Sequence, residues 1–378
     1  MKFIIAPDKF KGSLTGFEFC KAVRNGLREV FKDAEIIDKP LADGGDGTME
    51  VVSHYLNAEV FRKEVSDPLF RSIEASYAYS KETGIAYIEM AEASGMRLLS
   101  EDEMNCRYTT TQGAGELIAD AISRGAKEII LGIGGSATND GGMGMAKALG
   151  YRFMDENGVE LRPVGENLIN VHRVSCNNAK AFLKDISFKI ACDVKNPLYG
   201  PNGATRVYAL QKGASKNDVE ILEHGMKKYA GILKKQFGID VQKIPGSGAA
   251  GGMGAGAFVF LNGRLTQGID LIKEIANFDT AIEGADWIIT GEGKLDAQTL
   301  SGKTINGVLK SAKRREIPVA AFCGVIEIPK EKAKSIGITY LVGVSEGIPD
   351  IKQALVSAFN NVKKAAQKFG EHLNSIDL

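Results

Sequence analysis

The sequence is poor in the residues that most readily mark metal or hydrolytic chemistry. It has five cysteines without any CxxC pair and four histidines that lie far apart along the chain. A disulfide framework and a zinc site of clustered Cys and His are therefore not expected. GxSxG and HExxH motifs are also missing, which leaves serine hydrolase and zinc protease chemistry without support.

Neither sign of charge is in excess, because Lys and Arg together number 47, as do Asp and Glu. Nothing in this balance indicates a nucleic-acid groove or a polybasic membrane surface. No apolar stretch reaches the roughly 18 residues that a transmembrane helix needs, and the first apolar run is too short for a signal peptide. We therefore expect a cytoplasmic protein that acts on small molecules, with neither nucleic acid nor a membrane as a partner.

Glycine, in contrast, is abundant, with 44 residues in a chain of 378. It collects with acidic and amide residues in four loops, at residues 42–48, 132–142, 245–252 and 290–296. Glycine lets backbone N–H groups close around an anion, and carboxylate and amide oxygens are the ligands that Mg²⁺ prefers. Tight turns with polar caps would explain one such loop alone, but four of them favour phosphate chemistry.

The order of predicted elements indicates a two-domain α/β fold. Residues 2–6 and 34–37 are predicted strands, each followed by a loop and a helix, which is how a parallel sheet begins. Residues 58–90 contain β-rich segments without a helix between them, so antiparallel strands are expected there. Strand–helix alternation returns near residue 270. We predict a Rossmann-like parallel-sheet domain formed by both chain ends (residues 1–70 and 270–378) with an inserted second α/β domain (residues 71–269).

A GxGxxG motif at Gly246, Gly248 and Gly251 offers one alternative function. With Asp270 downstream as a ribose ligand, it would indicate an NAD-dependent oxidoreductase. However, Pro245 stands where a strand should run straight into the turn. This alternative is therefore weak.

Residues 297–304 nearly match the P-loop pattern GxxxxGK[ST], but Ala297 replaces its first glycine. A P-loop ATPase is therefore not predicted. Lys303 stays a candidate phosphate ligand at a helix start, where N–H groups favour anions. An ordinary solvated helix start is the alternative.

Two loops have the strand-to-helix context that an anion site requires. The loop after the strand at residues 128–132 offers Gly134, Gly135, Ser136, Thr138, Asn139 and Asp140 as ligands. The loop after the first strand offers Asp8, Lys9, Lys11 and Ser13. A solvated charged loop is the alternative for the second set.

Taken together, these loops resemble those of the bacterial type-1 glycerate kinase family. The resemblance rests on seven blocks in family order, at residues 6–14, 41–48, 131–142, 191–198, 211–214, 248–252 and 289–299. Lys9 stands where family members often have Ser, and Asp46 where Glu is common. Ordered blocks over nearly the whole chain are more specific than any single glycine motif.

The resemblance implies ATP-dependent phosphorylation of D-glycerate with Mg²⁺, at the 2-hydroxyl, to give 2-phospho-D-glycerate. Transfer to the 3-hydroxyl, giving 3-phosphoglycerate, is the alternative. The resemblance also implies an active site in the cleft between the two domains. Phosphoryl transfer needs positioned charges and a carboxylate near the attacking hydroxyl, and a carboxylate substrate needs Lys or Arg contacts. The oligomeric state stays open, with a homodimer as one candidate.

Asp193 follows a predicted buried strand, and we predict that it is the catalytic base. A structural cap of the turn at Asn196 is the alternative. Lys11 is predicted to pair with the substrate carboxylate or a transferring phosphate oxygen. Asn196, Gly248 and Gly251 are further candidates for binding substrate or phosphate.

Four acidic residues are candidate metal ligands, namely Asp43, Asp46, Glu292 and Asp296. Mg²⁺ bound to ATP takes only one or two protein carboxylates, so Asp43 and Asp296 rank first, and Asp296 is also a candidate catalytic residue. Turn and helix capping by these acids is the alternative.

Overall fold

The computed structural model describes residues 1–45, 47–176, 183–296, 303–348 and 350–376. The chain forms two compact units. The terminal unit comprises Met1–Val51 and Ile269–Leu378, and the inserted unit comprises Val52–Gly268.

The strands of the described residues are β1 (Lys2–Ile5), β2 (Glu35–Asp38), β3 (Glu59–Ser66), β4 (Ser72–Ser80), β5 (Ile85–Glu89), β6 (Glu128–Gly132), β7 (Arg152–Met154), β8 (Arg173–Ser175), β9 (Ser187–Ala191), β10 (Arg264–Thr266), β11 (Trp287–Leu295), β12 (Val319–Ile326) and β13 (Ile338–Gly343).

The α-helices of the same residues are α1 (Gly16–Arg28), α2 (Thr48–Leu56), α3 (Ala91–Ser94), α4 (Gln112–Ser123), α5 (Met143–Ala148), α6 (Ala204–Tyr208), α7 (Lys216–Phe237), α8 (Ala249–Leu261), α9 (Gly268–Ile275), α10 (Phe278–Ala281), α11 (Thr304–Lys313), α12 (Lys330–Ser335), α13 (Ile351–Val356) and α14 (Ala358–Ile376). None of these described helices has the length and apolar character needed to cross a bilayer.

The terminal unit is built on a parallel sheet of five strands in the order β13-β12-β11-β1-β2. Ile4 of β1 lies opposite Ile37 on one side and Ile288 on the other, so both chain ends contribute to one sheet. The predicted fold class is confirmed. Strand β1 is apolar and almost wholly buried, as expected for a central strand between helical layers.

Helix α1, which follows the first loop of the site, is defined by its N-terminal cap and by its packing on α14. Thr15 and Glu18 form a capping box, with the Glu18 N–H donating to Thr15 Oγ1 at 3.1 Å and the Thr15 N–H donating to Glu18 Oε2 at 2.8 Å. The helix packs on α14 at Gly26, where a Cβ would lie 2.2 Å from the carbonyl oxygen of Lys363. Only glycine permits this approach, which fixes α1 behind the loop that follows β1.

The inserted unit contains a six-stranded mixed sheet in the order β10-β9-β6-β5-β4-β3. Strands β3, β4 and β5 pair antiparallel, as predicted for residues 58–90, whereas β5, β6, β9 and β10 pair parallel. Leu131 of β6 lies opposite Ile88 and Ile190. The C-terminal end of β6 leads into the glycine-rich loop before α5.

The first boundary between the units differs from the one predicted near residue 70. Strand β3 pairs with β4 along its full length, from Glu59 opposite Tyr79 to Ser66 opposite Ser72. The two strands of one hairpin belong to one sheet, so the boundary falls before Glu59. The division into compact units lies between Val51 and Val52, inside α2.

Candidate active site

The loop after β1 is held in a fixed shape at the C-terminal end of the parallel sheet. The Asp8 N–H donates to the Gly291 carbonyl oxygen at 2.8 Å, which ties the loop to β11. Phe10 and Leu14 exchange backbone hydrogen bonds of 2.8 and 3.1 Å, closing a tight turn that leaves Lys11 exposed. This rim is where open α/β sheets bind ligands.

The structure brings together most of the candidates predicted in the terminal unit. A cavity of about 690 Å³ is lined by four acidic residues, called here the acid cluster, namely Asp8, Asp43, Glu292 and Asp296. The same cavity is lined by the other candidates Lys9, Lys11, Ser13 and Lys303. Asp46 lies outside the described residues. Both charge signs of the predicted site therefore meet around one cavity.

Asp8 of the acid cluster has a raised pKa. Burial and the negative charge of Asp43 raise the pKa of its carboxyl to about 6, against the opposing effect of hydrogen bonds from Thr304 and Lys9. The Lys9 N–H donates to Asp8 Oδ1 at 2.7 Å, and the Thr304 hydroxyl donates to Asp8 Oδ2. The first residue of α11 thus contacts the acid cluster. A cation in the cavity would relieve the repulsion between Asp8 and Asp43.

These carboxylates suit a metal that is bound mainly by a nucleotide. Among the residues that the structure describes, no group of three or more His, Cys, Asp or Glu could hold a metal ion alone. Mg²⁺ on ATP needs only one or two protein carboxylates. Asp43 and Asp296 line the cavity with hard oxygen donors, and Asp43 is held by the Gly45 N–H, which donates to its Oδ1 at 3.0 Å. The donor set therefore fits a magnesium–nucleotide complex.

One wall of the cavity is apolar, which the sequence did not predict. It is lined by Val325, Ile348, Ile351, Ala354 and Leu355, mostly from α13 and its preceding loop. Ile351 is 74% exposed, although large apolar side chains are usually buried. An apolar wall beside a charged one suits a ligand with an aromatic base and phosphates. Exposure of this kind depends on tertiary structure, so the sequence carries no clear signal of it.

The predicted anion loop of the inserted unit follows β6. Gly134 and Gly135 are exposed, whereas the polar side chains after them are buried. Asp140 accepts hydrogen bonds from the N–H and hydroxyl of Thr111, both at 2.8 Å, and from the N–H groups of Gly142 and Gly144 at 3.0 and 3.1 Å. Burial raises the pKa of Asp140, and these bonds oppose the rise. The geometry favours a role for Asp140 in holding the loop.

The second glycine loop packs directly on the first. Gly251 has φ +66°, and a Cβ there would lie 2.0 Å from the Thr138 carbonyl oxygen. At Gly248 a Cβ would lie 2.1 Å from the Pro197 carbonyl oxygen. A dinucleotide fingerprint needs a strand before its first glycine, but this loop follows the 3₁₀ helix Val241–Lys243. The structural context for NAD binding at Gly246 is therefore missing.

Asp193 and Asn196 lie in the loop after β9 and differ in their contacts. Asp193 is exposed, and its Oδ1 accepts the N–H of Gly268 at 2.9 Å, at the start of α9. Asn196 accepts a hydrogen bond from the Tyr208 hydroxyl at 2.8 Å and donates to the Asn202 carbonyl oxygen at 2.8 Å. The Asn196 amide therefore holds the loop, while the Asp193 carboxylate is exposed and is held through Oδ1.

Lys212 is a candidate that the sequence did not single out as a site residue. It is only 4% exposed, and its Nζ donates to Ser136 Oγ at 2.7 Å and to the Thr138 carbonyl oxygen at 2.8 Å. Burial lowers the pKa of its ammonium to about 8. Lysine next to glycine in the 211–214 block resembles an ordinary surface turn in sequence, so its burial was not predictable.

Comparisons with known proteins agree on one family. Residues 3–374 match the model of the glycerate kinase family. The glycerate kinase of Bacillus cereus is 41% identical over 367 residues, covering 97% of this chain and 96% of that protein. The glycerate 2-kinase of Escherichia coli strain K12 is 38% identical over 373 residues, covering 99% and 98%. A crystal structure from Salmonella typhimurium LT2, assigned as a glycerate kinase 2, has a TM-score of 0.91 at 36% identity and covers 100% of this chain and 99% of its own.

Proposed function

The chain belongs to the glycerate kinase family, and we propose that it transfers the γ-phosphoryl group of ATP to the 2-hydroxyl of D-glycerate, with 2-phospho-D-glycerate and ADP as products. The observation that carries this proposal is the cavity of the terminal unit, which joins the acid cluster and its lysines to an apolar wall. A nucleoside triphosphate with its metal has the matching chemistry. The 2-hydroxyl is proposed because the E. coli relative is named a glycerate 2-kinase.

ATP is proposed to bind in this cavity with its base against the apolar wall. Ile351 and Leu355 offer exposed aliphatic surface, while Lys9, Lys11 and Lys303 offer donors to phosphate oxygens. Asp43 and Asp296 would hold Mg²⁺, which, when bound, neutralises phosphate charge. The lysines are expected to orient the γ-phosphate and stabilise charge on the transferring group.

Asp193 is proposed as the base that accepts the proton of the attacking hydroxyl. Its carboxylate is exposed but fixed through Oδ1 by the Gly268 N–H, so Oδ2 has a defined position. A positioned carboxylate is what phosphoryl transfer to an alcohol requires. Because ATP is the proposed donor, we also propose that the enzyme works in the cytoplasm.

The direct experiment incubates the purified protein with ATP, Mg²⁺ and D-glycerate and identifies the product by ³¹P and ¹H NMR. We expect ADP release that depends on D-glycerate, and a phosphate on carbon 2. A phosphate on carbon 3 would replace the 2-kinase assignment by the 3-kinase alternative. No glycerate-dependent ADP release, or a change in nicotinamide absorbance with NAD and D-glycerate, would contradict the kinase proposal.

A further inference from the structure

Lys212 is a buried cation whose position is set by its backbone. Its N–H donates to the Ala209 carbonyl oxygen at 3.0 Å, and its own carbonyl oxygen accepts the Cys106 N–H at 3.0 Å. The next residue, Gly213, has φ +82°, and a Cβ there would lie 1.9 Å from the Met104 carbonyl oxygen. The chain around Lys212 is therefore locked, and its side chain is held against the loop after β6.

The charge of Lys212 is not balanced by a direct ion pair within the described part of the chain. Its two hydrogen bonds go to a hydroxyl and a carbonyl oxygen, at Ser136 and Thr138. The nearby groups that titrate are the Cys106 thiol, whose pKa burial raises to about 11, and the Asp140 carboxyl, which is occupied by hydrogen bonds of the loop. A buried ammonium without a carboxylate partner is costly, so a functional reason for it is expected.

Ser136 is the link between this charge and the loop surface. Because Ser136 Oγ accepts a hydrogen bond from Lys212, its own proton must point to another acceptor. The residues that the structure describes offer no acceptor for this proton. They likewise offer none for the backbone N–H groups of Gly134, Gly135 and Ser136. Four adjacent donors, one hydroxyl and three N–H groups, therefore have no acceptor among the described residues, and Gly134 and Gly135 are exposed.

Two further polar atoms beside this point lack a partner. Thr138 Oγ1 and Asn139 Oδ1 are buried, and neither has a hydrogen-bond partner among the described residues. Both residues are at most 1% exposed. Buried polar groups are nearly always paired, so the interior of this loop has unused hydrogen-bonding capacity directly beneath its exposed glycines.

We propose that the Ser136 hydroxyl and the N–H groups of Gly134 and Gly135 form an oxyanion site that binds the carboxylate of D-glycerate. Lys212 holds Ser136 in position and supplies the positive charge beneath the site. This inference rests on the proposed function. The acid cluster of the terminal unit suits a phosphate donor that brings a metal. The loop after β6 offers N–H and O–H donors over a buried cation, with its one carboxyl group, Asp140, used internally, which suits a small anion without a metal.

The experiment compares Lys212→Met with Thr109→Val as a matched control. Thr109 is also buried and also supports this loop from beneath, since its hydroxyl donates to the Ala137 carbonyl oxygen at 2.9 Å. It differs from Lys212 in having no charge and no hydrogen bond to Ser136. For each variant, KM for D-glycerate and KM for ATP are measured, together with calorimetric titration of D-glycerate into the free protein.

We expect Lys212→Met to raise KM for D-glycerate by about tenfold or more, the scale of a lost charge-assisted hydrogen bond. KM for ATP should stay within about twofold, and Thr109→Val should change both values little. Ser136→Ala, which keeps the buried ammonium, should raise KM for D-glycerate in the same direction. It provides the test if Lys212→Met does not fold.

An unchanged KM for D-glycerate in the folded variants would overturn the inference. So would a rise confined to KM for ATP, which would assign the site to a phosphate group, or an equal effect of Thr109→Val, which would make Lys212 merely structural. Calorimetry separates this inference from the proposed function. If the wild-type protein binds D-glycerate without turnover and Lys212→Met does not bind it, the site stands and the kinase proposal fails.

Discussion

The two candidate regions differ in the charged groups that they offer to a ligand. In the cavity of the terminal unit, burial and the negative charge of Asp43 raise the pKa of the Asp8 carboxyl to about 6, and the cavity is open to ligands. The loop after β6 in the inserted unit covers a buried ammonium, with its one carboxyl group, Asp140, engaged by four hydrogen bonds. Carboxylates and lysines around one cavity favour a ligand that brings both phosphate and a cation, whereas an excess of donors favours an anion alone. This difference suggests how ATP and D-glycerate divide between the units.

The largest expected effect is on the proposed catalytic base. Asp193→Asn keeps an oxygen for the Gly268 N–H but removes the carboxylate, so we expect kcat to fall by about 10²-fold or more with normal folding. Asp155→Asn is the control, because Asp155 Oδ1 also accepts backbone N–H groups in a turn, from Asn157 at 2.9 Å and Val159 at 2.8 Å. Near-normal kcat in a folded Asp193→Asn would remove this residue from the mechanism.

Two glycines of the inserted unit should differ in their effect on stability. Gly251→Ala forces a left-handed alanine against the Thr138 carbonyl oxygen, and we expect it to lower the free energy of unfolding by about 3 kcal/mol. A Cβ added at Gly134 would meet no other atom within 4 Å, so Gly134→Ala should stay within about 0.5 kcal/mol. Urea denaturation measures both. Equal losses would show that the loop after β6 is as tightly packed as the second glycine loop.

The metal prediction concerns the acid cluster alone. We expect Asp43→Asn or Asp296→Asn to raise the Mg²⁺ concentration needed for half-maximal activity by about tenfold, because a carboxylate ligand becomes neutral. Asp286→Asn is the control, since Asp286 belongs to the same unit and accepts the Lys2 N–H at 2.6 Å. An unchanged Mg²⁺ requirement in both test variants would mean that other groups hold the ion.

A smaller effect is expected from pH, and it should separate the two substrates. Lys212 has a lowered pKa of about 8, so its charge is present below this pH and is lost above it. KM for D-glycerate should therefore rise at least about fivefold between about pH 7.5 and about pH 9.5, following the loss of the ammonium. Lys212→Met should have a flat KM over this range. A flat profile in the wild-type protein would show that the ammonium does not assist binding.

The sequence was sufficient to predict those features that depend on neighbouring residues along the chain. The capping box of Thr15 and Glu18, the first strand and the gathering of acids after parallel strands all follow from local pattern and from the shared edge of a parallel sheet. The boundary before β3 was not predictable from composition, because hairpin pairing decides it. The exposure of Ile351 and the burial of Lys212 depend on packing between distant segments, which no local pattern records.

The most direct test of the division between units is the affinity for a non-hydrolysable ATP analogue with Mg²⁺, measured by calorimetry in Ile351→Glu and Val356→Glu. Both residues are exposed aliphatic side chains of α13, at 74% and 89%, but only Ile351 lines the cavity. We predict that Ile351→Glu weakens binding of the analogue by about tenfold or more, through lost apolar contact and added charge near the phosphates, while Val356→Glu changes it little. Equal affinities in the two variants would contradict ATP binding in the terminal unit's cavity.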